Sequence, residues 1–162
     1  MRAVFLGQVP YDTATVLQEQ FFYGKILARD GSEPPEDIIL FLEHPPVYTF
    51  HRQDRDFLPL IRDENAFWSR VKSENIHCLE TSRGGKLTFH GPGQLICYPI
   101  FYIGEMGPVD YLYKLYEIVR LTLKDFGIES TYHEGGVWIQ GDGQESKICS
   151  FGVAVRSGVT MH

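Results

Sequence analysis

The chain has 162 residues, 43% of them apolar and 14% aromatic, and carries a formal charge of −6 at pH 7. That length fits one globular domain with a core of its own, and no segment combines low hydrophobicity with high charge as a disordered tract would. The negative balance speaks against a general nucleic-acid binder, so an anionic partner must be met by a local basic patch.

The amino-terminal run "MRAVFLGQVPYD" is broken by Gly7, Gln8 and Pro10 and is too short for a secretory apolar region. No run approaches the roughly 20 apolar residues that span a bilayer. A cytoplasmic protein without nucleic-acid or membrane partners is therefore expected. Cys78, Cys97 and Cys149 lack the paired Cys/His spacing of a zinc site, and their odd number does not suggest a disulfide framework. No metal site is expected.

Residues 2–8 read as a first strand. From Asp12, taken as an N-cap, to about Arg29, the positions Val16, Leu17, Phe21 and Ile26 fall near helical spacing, and "DGSEPPED" stops the helix. "DIILFLEH" (37–44) is apolar nearly throughout, as in a strand covered on both faces, and ends at Pro45-Pro46. A short helix is placed around "DENAFWSRV" within 56–74, and strands over "IHCLETS" and "QLICYPIF" flank a glycine-rich stretch. Gly107-Pro108 opens the clearest helix, with Val109, Leu112, Leu115, Tyr116, Val119, Leu123 and Phe126 as a core-facing stripe and Gly127 at its end. "STYHEGGVWIQ" and "SKICSFGVAV" read as two strands of a hairpin turned at "GDGQE". The expected fold is α/β or α+β, with a mixed, largely antiparallel sheet and at least two long helices.

The stretch "RGGKLTFHGPGQ" (83–94) is neither a Walker loop nor a dinucleotide fingerprint, because Lys86 precedes a leucine and no helix follows. A glycine-rich hairpin turn and a ligand loop both fit it, and Arg83, Lys86, Thr88 and His90 supply the polar groups of the second reading. His90 has no metal partner in its spacing and is read as structural. His44, His51, His77 and His133 are read as solvated or hydrogen-bonded. Arg52, Arg55, Arg83 and Lys86 form either a solvated face or a basic rim that steers acidic partners.

The segments "EHPPVYT" (43–49), "RGGKLTFHGPGQLICYPI" (83–100), "GVWI" (136–139) and "KICSFGVAVR" (147–156) resemble the octanoyltransferase family in order and spacing over nearly the whole chain. The resemblance implies one catalytic domain over residues 1–162, with a fold similar to that of lipoate and biotin ligases. It implies octanoyl transfer from octanoyl-acyl carrier protein to a lysine of lipoyl domains, those of 2-oxoacid dehydrogenase complexes and the glycine cleavage H protein. A cysteine acyl-enzyme is the intermediate, and no cofactor is needed. Arg83, Gly84, Gly85, Lys86, Leu87, Thr88, Phe89 and His90 are then expected to contact the acyl group, with Ser150, Phe151 and Gly152 adding backbone to the pocket. Lys147 takes the place of the cation that favours the thiolate.

In the family the nucleophile lies in a Pro-Cys-Gly motif beyond the segment matching "VTMH". This chain stops at His162, so the resemblance implies that the nucleophile and the closing part of the pocket are absent. Cys149 is the internal substitute to weigh, since residues two apart on a strand share a face with each other. A small buried hydrophobe is the competing reading. An ATP-dependent lipoate or biotin ligase and a non-catalytic acyl-binding module stand as alternatives.

Overall fold

A computed structural model describes residues 1–28, 35–51, 63–81, 87–141 and 143–162. The elements in chain order are β1 (Arg2–Gln8), α1 (Tyr11–Leu27), β2 (Ile38–Glu43), β3 (Val47–His51), α2 (Glu64–Ser73), β4 (His77–Thr81), β5 (Thr88–His90), β6 (Ile96–Ile100), α3 (Pro108–Asp125), β7 (Ser130–His133), β8 (Gly136–Gly141), β9 (Gln144–Ser150), β10 (Ala154–Arg156) and β11 (Val159–Met161). They form two compact units: Met1–Tyr102 with Ala154–His162, and Ile103–Val153.

In the first unit β2 is central, parallel to β1 and antiparallel to β6. Ile38, Leu40 and Leu42 point one way into a core shared with Ala14 and Phe22 of α1, Tyr98 and Ile100 of β6, and Val159 of β11. Its other face is only half-covered: Phe41 stacks on the exposed Phe5 at 4.9 Å. The apolar run of this strand thus reflects one packed face and one aromatic pair rather than burial on both sides.

Helix α1 buries Tyr11, Ala14, Gln18, Phe22 and Lys25, whereas Val16 is exposed. Of the expected stripe, Leu17, Phe21 and Ile26 pack against this core and Val16 does not, and two polar side chains share the inner face. Each is there for a specific partner. The Gln18 carbonyl accepts the His162 N–H at 3.0 Å, and Lys25 reaches Asp37 at 2.9 Å and the Pro35 carbonyl at 2.6 Å. The N-cap is Pro10 rather than Asp12, whose carboxylate instead accepts the Thr13 N–H inside the first turn.

A second sheet of this unit has β3 parallel to β4 and antiparallel to β5. Asp63 caps α2 through the Ala66 N–H, and Phe67 of that helix meets Tyr48 of β3 at 5.1 Å. The second unit packs α3 on a β7–β8–β9 meander. Tyr116 lies 5.0 Å from Tyr132 of β7. Leu112, Leu115, Val119 and Leu123 are half-buried as expected, but Val109 and Phe126 are exposed and the fully buried position is Tyr111. No helix among the described residues is long and apolar enough to cross a membrane.

The two long carboxy-terminal strands expected from the sequence are each divided. Glu134 and Gly135 have φ of 49° and 68° and join β7 to β8 as a two-residue turn whose positive φ values match the type I′ hairpin. Residues 151–153 separate β9 from β10, which forms its own hairpin with β11.

Candidate active site

Of the residues singled out for acyl contact, Arg83, Gly84, Gly85 and Lys86 lie outside the described residues, as do Arg52 and Arg55 of the basic rim. The remainder fall into two groups, one in each unit.

In the first unit, β5 pairs Thr88 with Thr49 and His90 with Val47. Alternation along the strand puts Thr88 and His90 on one face. Phe89 turns to the other, 5.1 Å from Tyr48. His90 has both ring nitrogens engaged, Nε2 with the Thr49 hydroxyl at 3.2 Å and Nδ1 with Gln94 Oε1 at 2.8 Å. Because Gln94 Oε1 only accepts, Nδ1 carries a proton.

Behind His90 stands a second imidazole. His44 is fully buried, 5.8 Å edge-on from His90 and 5.1 Å from Tyr11. Its Nδ1 donates to the Val9 carbonyl at 2.7 Å, so its Nε2 is left to accept from the Tyr98 hydroxyl at 2.8 Å. Burial pushes the His44 pKa down. The ring is therefore a neutral, doubly bonded fixture beneath β5. Nothing in the sequence marked Tyr98 or Thr49 as partners, because the contacts cross more than 40 residues.

The glycines after His90 serve the chain itself. Pro92 and Gly93 occupy the middle of a turn closed by the Gln94 N–H on the Gly91 carbonyl at 3.1 Å, and Gly93 has φ of 84°, the type II pattern. The Gly93 N–H points to Glu43 Oε2 at 2.9 Å.

In the second unit Lys147 is exposed near the middle of β9. A bulge decides its direction. Val137 faces Cys149 and the next residue, Trp138, faces Lys147, so Ile148 is the extra residue. Adjacent residues of β8 point to opposite faces, and Cys149 and Lys147 therefore do too. The expectation that these two side chains are neighbours fails for this reason. Cys149 is half-buried, and burial raises its thiol pKa, as it does for Cys78. Neither thiol has the surroundings of an activated nucleophile.

On the Lys147 face, the lysine stem crosses Gly136, where an added Cβ would lie 2.8 Å from Lys147 Cε and 2.7 Å from the Cys149 carbonyl oxygen. The ammonium sits 4.7 Å over the Trp138 ring and 3.5 Å from the Glu134 carbonyl. Trp138 donates to the His133 carbonyl at 2.9 Å and stacks on the His133 ring at 4.8 Å. His133 donates through Nε2 to Glu145 at 2.9 Å, and this bond, joined by one from Thr131, holds the Glu145 carboxyl below its usual pKa. Ser150 is exposed, and Phe151 and Gly152 are half-buried past the end of β9. The Phe151 N–H is bonded to the Gly135 carbonyl at 3.3 Å. Among the described residues, no cluster of three or more His, Cys, Asp or Glu is arranged to hold a metal.

The family described as the lipoyl protein ligase A/B catalytic domain matches residues 17–162. An octanoyltransferase of Bacteroides fragilis is 35% identical over 95% of this chain and 70% of its own length. That of Nitratidesulfovibrio vulgaris is 38% identical over 100% and 69%. That of Caldicellulosiruptor bescii is 37% identical over 98% and 66%. Among solved structures, a bipartite lipoate protein ligase system of Thermoplasma acidophilum aligns over 98% of this chain with a TM-score of 0.67 and 18% identity. An ATP-bound lipoate-protein ligase A aligns over 98% with a TM-score of 0.68 and 16% identity. The chain spans 58% and 63% of the lengths of these two structures. At such identities the likeness concerns the fold, which is that of the lipoate ligases, as expected.

Proposed function

We propose octanoyl transfer for this chain, which belongs to the family of the lipoyl protein ligase A/B catalytic domain and, within it, to the octanoyltransferases. The observation that carries the reading is the 35–38% identity to octanoyltransferases over at least 95% of the chain. The donor is octanoyl-acyl carrier protein. The acceptor is a lysine of a lipoyl domain, including that of the glycine cleavage H protein, and the setting is cytoplasmic. Residues 1–162 are read as parts of one catalytic domain.

The reaction has two steps. A cysteine thiolate attacks the octanoyl thioester carbonyl and the carrier thiolate leaves. The acceptor amine then attacks the acyl-enzyme, forming an amide and returning the thiolate. Cys78 and Cys149 are not assigned as this nucleophile, since burial favours their neutral thiols, and the resemblance puts it in the Pro-Cys-Gly motif beyond the segment matching "VTMH". Lys147 is assigned as the cation that favours charge on the thiolate, and its exposed ammonium suits that role. Thr88 and His90 are assigned to the acyl-contacting face of β5, with Leu87 beside them and Phe89 packed on the opposite face. Arg83, Gly84, Gly85, Lys86, Ser150, Phe151 and Gly152 are the further residues that the resemblance proposes for substrate contact.

The ligase alternative shares the fold and differs in its need for ATP. Incubating the full-length protein with an apo lipoyl domain and octanoyl-carrier protein is expected to add one octanoyl mass to the lipoyl domain without nucleotide. Acylation seen only with free octanoate and MgATP would replace this reading by the ligase one. Octanoyl retained without transfer would replace it by that of an acyl-binding module.

A further inference from the structure

We propose that Trp138 is the positioning residue for the Lys147 ammonium, an inference that rests on Lys147 being the catalytic cation. A lysine on an exposed strand ordinarily samples many rotamers, because four flexible bonds separate its charge from the backbone. Here three contacts remove that freedom. The stem lies where a side chain at residue 136 would be, the ammonium stands 4.7 Å over the indole, and the Glu134 carbonyl is 3.5 Å away.

The indole is itself held. Its N–H is bonded to the His133 carbonyl at 2.9 Å, and the His133 ring lies against it with 9° between planes. That imidazole is tied in turn to Glu145, which also accepts from Thr131 at 3.2 Å. A rigid aromatic face is thus presented to a flexible cation, and the attraction of an ammonium to the indole face sets where the charge rests. The bulge after Lys147 supplies the register, pairing the lysine with Trp138 instead of Ile139.

The test combines turnover with a direct view of the side chain in the full-length protein. In the NMR spectrum, the Lys147 ε-methylene protons are expected upfield of the other lysines through the indole ring current, with assignment by their loss in Lys147→Ala. Trp138→Leu should return them to the ordinary position and lower kcat about two- to fivefold at unchanged KM, the range expected for an exposed cation–π contact. Trp138→Phe, which keeps an aromatic face and guards against a folding artefact, should stay within about twofold of the wild type. An ordinary ε-methylene shift in the wild type, or wild-type kcat in Trp138→Leu, overturns the proposal. Full turnover by Lys147→Ala instead overturns the catalytic assignment of Lys147, and with it the role given to Trp138, even where the ring-current shift is present.

Discussion

Tyr98→Phe removes one oxygen from the buried His44–Tyr98 pair, and the consequence can be worked out from the tautomer. His44 donates through Nδ1 to Val9, so the lost hydroxyl is the donor to Nε2, and a fully buried acceptor is left behind. An unsatisfied buried acceptor costs about 1–3 kcal/mol, and the same loss is expected in urea denaturation at pH 7.5 with the m-value unchanged. A pH arm tests the protonation state. The folded pKa of His44 is depressed, so below the unfolded value of about 6.5 the unfolded chain binds more protons. Stability therefore rises with pH up to about 6.5, levels off above it, and falls as the solution is acidified. Between pH 7.5 and 5.5 this one group lowers stability, and His44→Leu should lack that component of the slope. A cost below about 0.5 kcal/mol for Tyr98→Phe, or an undiminished slope in His44→Leu, would refute the neutral, doubly bonded ring.

Three further perturbations bear on the two units. Gly136→Ala places a methyl group 2.7 Å from the Cys149 carbonyl oxygen, so it should destabilise by about 1–3 kcal/mol in thermal or urea unfolding and lower transfer by displacing Lys147. Thr160→Val keeps shape but removes a buried hydroxyl that donates to the Pro99 carbonyl at 2.7 Å and accepts the Phe101 N–H at 2.9 Å. A loss of about 1–3 kcal/mol in urea denaturation is expected. Cys149→Ala should retain transfer, and the Cys149 thiol should alkylate with iodoacetamide more slowly at pH 7.5 than an unperturbed cysteine, because burial raises its pKa.

Much of the fold could be read locally. Strand β2 and helix α3 appear where apolar runs and a Gly-Pro opening put them, and the α+β architecture follows. What escaped the sequence was decided by distant partners. The inner face of α1 contains Gln18 and Lys25, whose burial makes sense only with His162, Pro35 and Asp37 in place. The turn at Glu134-Gly135 was hidden inside a run that otherwise suits one strand, although Gly135-Gly136 was its local signal. The bulge at Ile148 reverses the relation of Lys147 to Cys149, and no composition rule announces a bulge. For the proposed site, Lys147 and the segment assigned to acyl contact came from resemblance. Trp138, Thr49 and Tyr98 became visible only through register and ring geometry.

Octanoyl transfer with Lys147 as the essential cation is tested by the intact mass of an apo lipoyl domain after incubation with octanoyl-carrier protein and either the full-length wild type or Lys147→Ala, without ATP. One added octanoyl group with the wild type and none with the folded variant is the predicted result. Equal acylation by both proteins, or none by the wild type, would contradict it.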